Sequence, residues 1–352
     1  MNLVKKDIEE ISHSIEIFAG NFSGKRILIT GGKGFLGRYF IEVFNELNTS
    51  YFPKLGVPPC ELIILDNFIT SGVDGKKEVT YSNMAFVEHD IIKPFYPERP
   101  VDFIIHAAGI ASPYYYRMYP EQTLEVATTG LKNTLDIALK NKLCRVLFFS
   151  SSEIYGDPTP DKVPTTEDYN GNVSSLGARA CYDESKRLGE TIVSIYTNKH
   201  NVRATIVRPF NVYGPGMQKT DYRVLPNVFS KISSGEKPQI YGDGNQTRTF
   251  CYITDAMIGF LQVLVHGRPG EAYNIGNPYP EVSMNELMSH IRTVIGKEIE
   301  YDLTGYPDSY PADEPNRRCP DIRKAESHVD YQAKISLGEG LRRFYNWTLD
   351  NY

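Results

Sequence analysis

The stretch Lys25-Arg-Ile-Leu-Ile-Thr-Gly-Gly-Lys-Gly-Phe-Leu-Gly37 contains the most informative pattern in the sequence. A short apolar run of strand length ends at Thr30, three glycines follow at intervals of three, and a helix-length segment begins at Phe35. This G-x-x-G-x-x-G spacing permits a tight turn, close approach of the backbone to a pyrophosphate, and placement of that anion at a helix N-terminus. The stretch therefore predicts a strand–turn–helix unit that binds a dinucleotide.

The same alternation of strand and helix continues along the chain. Short buried runs are separated by helix-length segments, which indicates a parallel, doubly wound sheet of the Rossmann type and an α/β fold. Two of those segments, at about 129–140 and 182–200, are predicted as helices. The further predicted strands are Leu62–Leu65, Phe103–Ile105, Val146–Phe149 and Ala204–Val207.

Three regions are predicted. Residues 1–24 are an N-terminal helical extension, because apolar residues at Ile8, Ile11, Ile15 and Phe18 have helical spacing. Residues 25–213 form the dinucleotide-binding domain, with some elements returning to it from later segments. Residues 214–352, richer in turns, form a smaller C-terminal α/β unit for the substrate, with apolar runs at 239–241 and 272–275.

Composition excludes several classes of protein. The chain has 352 residues and a formal net charge of −5, which argues against binding to nucleic acid. No apolar run has the length of a membrane span, and no signal peptide is recognised, so we expect no membrane association and a cytoplasmic location. The five cysteines form no C-x-x-C pair, and no metal site is predicted. His106, inside an apolar run, is interpreted as a core residue.

Asp66 follows the second predicted strand. An acidic side chain at this place can accept hydrogen bonds from the adenosine ribose and repel a 2′-phosphate, so NAD is favoured over NADP. Asp66 lies further from Gly37 than the usual spacing of about 20 residues, and the proline-containing segment 49–60 is interpreted as the insertion responsible. The alternative is that Asp66 only caps a turn with Asn67.

Tyr182 and Lys186 lie four residues apart and share one face of a predicted helix. An ammonium group near a phenol lowers the phenol's pKa, which favours a tyrosinate base for a sugar hydroxyl. The order of motifs adds specificity, since the glycine-rich turn is followed by Ser150-Ser-Ser-Glu-Ile-Tyr-Gly156, by this pair, and by Arg208-Pro-Phe-Asn-Val-Tyr-Gly-Pro215.

In these motifs the chain resembles the extended short-chain dehydrogenase/reductase superfamily of sugar-nucleotide epimerases, dehydratases and decarboxylases. The resemblance implies bound NAD, a nucleoside-diphosphate sugar as substrate, and a homodimer packed through the Tyr182 helix. It implies Ser151, Tyr182 and Lys186 as the catalytic triad, with Glu153 as a further catalytic residue. The implied cofactor-binding residues are Gly31, Gly34, Phe35, Leu36, Gly37, Asp66, Asn67, Asp90, Ile91, Ala107, Tyr182 and Lys186.

Within that superfamily the run Ser152-Glu-Ile-Tyr-Gly-Asp-Pro158 is similar to UDP-glucuronate decarboxylases, as are the stretches 177–186, 241–248 and 318–322. Arginines suit bidentate recognition of diphosphate or carboxylate, and structural salt bridges are their alternative role. The predicted substrate-binding residues are Ser112, Tyr116, Ser152, Asn211, Arg223, Arg248 and Arg318. Tyr114, Tyr115 and Tyr116 either line the sugar pocket or pack within their loop.

The sequence departs from the decarboxylase pattern at four positions, of which Glu125, Ala127 and Gly216 are singled out. Glu125 and Ala127 stand where a lysine and an asparagine are common, and Gly216 replaces the arginine of a Gly-Pro-Arg pattern. An epimerase or a 4,6-dehydratase acting on another nucleotide sugar is therefore the second hypothesis. A non-catalytic NAD-binding regulator is a third, against which the intact triad residues argue.

Overall fold

The computed structural model describes residues 3–71, 81–305 and 315–352. In these ranges the strands are β1 (Arg26–Thr30), β2 (Glu61–Asp66), β3 (Met84–Glu88), β4 (Phe103–His106), β5 (Arg145–Phe149), β6 (Arg203–Pro209), β7 (Val212–Tyr213), β8 (Gln239–Tyr241), β9 (Thr247–Arg248), β10 (Cys251–Tyr252), β11 (Ala272–Ile275), β12 (Val282–Ser283), β13 (Asp302–Thr304) and β14 (Arg317–Arg318).

The helices surround these strands and connect them. They are α1 (Lys5–Ser14), α2 (Glu16–Ala19), α3 (Phe35–Glu46), α4 (Phe52–Leu55), α5 (Pro113–Met118), α6 (Pro120–Glu125), α7 (Leu131–Ala138), α8 (Ala180–His200), α9 (Val224–Ser233), α10 (Ile253–His266), α11 (Met284–Ile295), α12 (Arg323–Val329) and α13 (Leu337–Asn351). Single turns of 3₁₀-helix lie at Gly20–Phe22, Ser152–Tyr155 and Pro160–Lys162, and π-helical segments at Leu47–Tyr51 and Val126–Gly130.

The central sheet has seven strands in the order β11-β6-β5-β4-β1-β2-β3, and all of its pairings are parallel. Apolar side chains cover both faces, because the helices pack on each side. The strand order reverses between β1 and β4, and ligands of such sheets bind beyond the carboxyl ends of the strands at that reversal. The predicted Rossmann-type sheet is confirmed.

The C-terminal third contributes to two places in the molecule. Small sheets β12-β9-β14 and β8-β13 lie outside the central sheet. The run 272–275, expected in the smaller unit, instead forms β11 at the edge of the central sheet, where Ala272 pairs with Ile206. That expectation was wrong because the helix before this strand, α10, provides the crossover that a parallel pairing requires.

The N-terminal segment forms α1, which packs against α3 and α10. Asp7 of this helix is fully buried and accepts hydrogen bonds from the Tyr252 hydroxyl at 2.6 Å and from Arg343 at 3.2 Å. These contacts fix α1 on the main body of the protein. Among the helices that the structure describes, none combines the length and the apolar character needed to cross a bilayer.

Candidate active site

A cavity of about 1200 Å³ lies beyond the carboxyl ends of β1 to β4. The predicted substrate residues Ser112 and Arg223 line it, and the Arg223 guanidinium lies near Phe35 of the glycine-rich turn. Ten of the predicted cofactor-binding residues line this cavity, namely Gly31, Gly34, Phe35, Leu36, Gly37, Asp66, Asn67, Asp90, Ile91 and Ala107.

The glycine-rich turn is packed so closely that side chains are excluded at two of its positions. Gly31 has φ of 71°, and a Cβ atom placed on it would lie 2.6 Å from the Ala108 Cα. A Cβ atom on Gly37 would lie 2.2 Å from the Gly31 carbonyl oxygen. The turn thus brings bare backbone and the N-terminus of α3 to the cavity wall, which fits the pyrophosphate of a dinucleotide.

Asp66 has the turn-capping role that was considered for it, and its predicted contact with the ribose stays a prediction. Its carboxylate accepts the backbone N–H groups of Lys33 and Phe68, each at 2.8 Å, so it caps the turn beside the glycines. Burial raises the pKa of Asp66, and these two hydrogen bonds oppose that shift. Each carboxylate oxygen can accept more than one hydrogen bond, so the same group, which lines the cavity, can also receive ribose hydroxyls.

The structure brings the three predicted triad residues together. Tyr182 and Lys186 lie on α8, and Ser151 follows β5. The Ser151 side chain hydrogen-bonds to the Tyr182 phenol and lowers its pKa, while burial, the larger effect, raises it. The Lys186 Nζ lies 5.6 Å from the centre of the Tyr182 ring.

Lys186 is held at the floor of the site. Its Nζ donates to the Phe149 carbonyl oxygen at 2.8 Å, and burial lowers its pKa to about 8. The same Nζ would lie 3.2 Å from a Cβ atom on Gly109, and Gly109 lines the cavity. A ribose next to Gly109 would therefore be within reach of this ammonium group, which fits the predicted contact with the nicotinamide ribose.

Aromatic side chains from α5 close over the triad. Tyr116 is buried and stacks on Tyr182, with ring centres 5.6 Å apart and an angle of 16° between the planes. Tyr114 stacks in the same way on Tyr222, at 5.2 Å and 5°. The tyrosine cluster thus packs against Tyr182 and against the loop before α9, and Tyr116 is the member that contacts the predicted triad.

Glu153 is enclosed by arginines. Arg318 donates to both of its carboxylate oxygens, at 2.6 and 2.7 Å, and Arg179 forms a further ion pair with it. Arg179 also lies 3.5 Å from Asp183. The predicted residues Glu153 and Arg318 therefore form a salt bridge, although they are far apart in the sequence. Glu153 itself follows Ser151 by two residues.

Arg179 was not singled out in the sequence. It precedes Tyr182 by three residues in the stretch 177–186, which the decarboxylase resemblance had already covered. Its buried guanidinium is the second cation on Glu153. A positive charge next to such a motif was the available signal, but only the folded chain shows which carboxylate it pairs with.

Three other predicted substrate residues are engaged by the protein itself. Arg248 donates to the carbonyl oxygens of Pro315 at 2.6 Å and of Thr247 at 2.8 Å. Asn211 donates to the Thr249 carbonyl oxygen at 2.8 Å, and Ser152, the first residue of a 3₁₀ turn, is buried. The structure places these three outside the cavity lining, so their predicted contact with substrate stays a prediction.

Arg223 has a different environment, because it lines the cavity. It pairs with Asp221, with 2.5 Å between Nη2 and Oδ2, and its guanidinium lies 5.9 Å from the centre of the Phe35 ring. Ser112 lines the same cavity, and its buried hydroxyl has no hydrogen-bond partner among the described residues. Both side chains are thus placed to meet a ligand.

His106 is a core residue, as interpreted from its apolar run. Its Nδ1 lies 3.0 Å from the Thr134 hydroxyl and its Nε2 lies 3.1 Å from the Val126 carbonyl oxygen. Burial lowers its pKa to about 3, so the ring is neutral. In the described ranges no group of three or more His, Cys, Asp or Glu side chains is arranged to hold a metal ion.

Comparison with known proteins gives consistent matches over most of the chain. The model of the NAD dependent epimerase/dehydratase family matches residues 27–276. UDP-glucuronic acid decarboxylase 6 of Arabidopsis thaliana is 37% identical over 322 residues, 91% of this chain and 87% of that protein. UDP-glucuronic acid decarboxylase 1 of Xenopus tropicalis is 37% identical over 324 residues, 91% and 71% of the respective chains.

Solved structures agree with the fold. An epimerase from Methanothermobacter thermautotrophicus superposes with a TM-score of 0.76 at 26% identity, covering 99% of this chain and 96% of that one. The agreement over nearly the whole length includes the C-terminal third as well as the central sheet.

Proposed function

The chain belongs to the NAD-dependent epimerase/dehydratase family of extended short-chain dehydrogenases/reductases, and from this premise we propose that it decarboxylates UDP-glucuronate to UDP-xylose through a 4-keto intermediate. The observation that carries the proposal is the ion pair between Arg318 and Glu153. Glu153 follows the triad serine by two residues. The substrate is supported by the 37% identity to UDP-glucuronic acid decarboxylases over 91% of the chain.

The triad residues perform the oxidation half of the cycle. Tyr182, as tyrosinate, takes the proton of the C4 hydroxyl, and Ser151 hydrogen-bonds to the C4 oxygen. Lys186 holds a positive charge beneath the phenol, which favours the tyrosinate. The glycine-rich turn and Asp66 would hold NAD, whose nicotinamide would provide the hydride acceptor for C4 and, once reduced, the hydride donor for the last step.

Glu153 and the two arginines that hold it act after the sugar has been oxidised. A ketone at C4 is β to the C6 carboxylate, so the C5–C6 bond breaks, carbon dioxide leaves, and the electron pair is delocalised into an enolate. A proton then adds at C5. Glu153 is proposed to position the water or proton for C5, and Arg318 and Arg179 keep its carboxylate in place. Arginine also suits recognition of the substrate's own carboxylate.

The proposal predicts a specific change of mass. Purified protein is incubated with a panel of UDP-glucuronate, UDP-glucose and UDP-N-acetylglucosamine, and the products are resolved by mass spectrometry. We expect UDP-glucuronate alone to lose the mass of one carbon dioxide. Loss of one water from any substrate would establish a dehydratase instead. Altered retention without a change of mass would establish an epimerase.

We also propose that the protein is a homodimer packed through α6 and α8. Three large apolar side chains on these helices are exposed, Leu124 at 43%, Leu188 at 48% and Ile195 at 50%. Leu188 and Ile195 are seven residues apart on α8 and so share one face. Light scattering should give the mass of two chains, and Leu188→Glu combined with Ile195→Glu should give one. A monomeric wild-type protein would contradict the proposal.

A further inference from the structure

Arg38 is a cation in the wall of the cofactor cavity. It follows the last glycine of the turn and lies in the first turns of α3. Its Nε donates to the Gly34 carbonyl oxygen at 3.4 Å, and its Nη2 donates to the Gly216 carbonyl oxygen. The side chain therefore bridges the glycine-rich turn and the loop after β7.

Among the residues that the structure describes, no carboxylate balances the charge of Arg38. Both of its hydrogen-bond acceptors are neutral carbonyl groups, and in the described ranges it forms no ion pair. Burial lowers its pKa, because removal from water disfavours the charged form. The N-terminus of α3 adds a further partial positive charge at the same wall. An anion in the cavity would relieve this imbalance.

Gly216 explains why the guanidinium fits where it does. The decarboxylase pattern has an arginine at this position, but here the residue is glycine with φ of 95°. A Cβ atom at 216 would lie 3.3 Å from the Arg38 Nη2 and 2.7 Å from the Leu3 Cδ2. The absence of a side chain at 216 leaves room for the Arg38 guanidinium, which reaches the Gly216 carbonyl oxygen from α3.

We propose that Arg38 binds the pyrophosphate of NAD and supplies, from α3, the positive charge that this chain lacks at position 216. A guanidinium can donate two parallel hydrogen bonds to phosphate oxygens. The inference depends on the NAD dependence of the family and not on which nucleotide sugar is converted. Failure of the decarboxylation assay would therefore leave it standing.

Ligands that differ in phosphate provide the test. Exchange of bound NAD for a fluorescent etheno-NAD is measured in the whole protein, with ADP and adenosine as competitors. In Arg38→Gln we expect ADP to compete about 10- to 100-fold less well, the range for hydrogen bonds to charged groups, and adenosine to compete as in the wild type. Arg342→Gln, which removes an exposed arginine of α13, is the control and should change neither ligand.

A purely structural role gives a different result. If Arg38 only tethers the loop at Gly216, Arg38→Gln will weaken the binding of ADP and of adenosine by the same factor, and the proposal is wrong. It is also wrong if neither competitor changes. Should Arg38→Gln not fold, as judged by thermal unfolding, Arg38→Lys keeps the charge and loses the fork. In Arg38→Lys the binding of ADP should weaken and that of adenosine should not. In the wild type, added salt should weaken the binding of ADP more than that of adenosine.

Discussion

The substitution Tyr182→Phe is expected to lower kcat by about 10³-fold while leaving the binding of NAD and of the sugar nucleotide nearly unchanged. In the proposed mechanism the phenol accepts the C4 proton, whereas the ring, which stacks on Tyr116, remains in place. Steady-state kinetics on UDP-glucuronate and the NAD content of the purified variant give the two measurements.

A tyrosine on the same helix provides the control. Tyr196 lies further along α8, and its hydroxyl donates to Asp136 at 2.7 Å near the surface. Tyr196→Phe should retain wild-type turnover. If Tyr182→Phe also turns over within a few fold of the wild type, proton transfer at C4 uses another group, and the triad assignment fails.

The substitution Glu153→Gln is expected to separate oxidation of the sugar from the later steps. Tyr182 and Ser151 are untouched, so hydride transfer continues, while loss of carbon dioxide or protonation at C5 slows. The near-ultraviolet absorbance of reduced nicotinamide should therefore rise during turnover and persist. The variant also leaves two buried arginines without their shared carboxylate, which should cost about 3 kcal/mol of unfolding free energy.

The neighbouring ion pair gives a matched control for this substitution. Arg317, the residue before Arg318, forms a bidentate pair with Glu281 at 2.6 and 2.8 Å, but this arginine is 40% exposed. Glu281→Gln should cost about 1 kcal/mol or less and accumulate no reduced cofactor. If Glu153→Gln forms product at the wild-type rate without such accumulation, Glu153 is structural and has no part in the chemistry.

The cofactor half of the site could be predicted from sequence because its determinants are local. The spacing places Gly34 and Gly37 against the Gly31 carbonyl oxygen within one strand–turn–helix unit, whereas the contact of Gly31 with Ala108 comes from beyond it. Tyr182 and Lys186 share a helical face by their spacing alone, and Ser151 follows a strand. Each of these residues therefore takes its place once the sheet is assigned.

The pairing of charges could not be predicted, because it depends on contacts far apart in the chain. Arg318 and Glu153 are separated by 165 residues, and Arg38 and Gly216 by 178. The carbonyl oxygens of Pro315 and Asn316, to which Arg248 donates, likewise come from a segment far along the chain, and its predicted contact with substrate stays a prediction. An arginine within a motif thus indicates recognition of acceptor oxygens, while the fold decides whether they belong to a ligand or to the protein.

The most direct test of the proposed chemistry is the product formed from UDP-glucuronate in deuterated water. A cycle through a 4-keto sugar with decarboxylation must take one solvent hydrogen at C5 and return the original hydride to C4. We therefore predict UDP-xylose with one deuterium, located at C5 by NMR, and no net formation of reduced NAD. Unchanged UDP-glucuronate, or a product that keeps its C6 carboxylate, would contradict the proposed function.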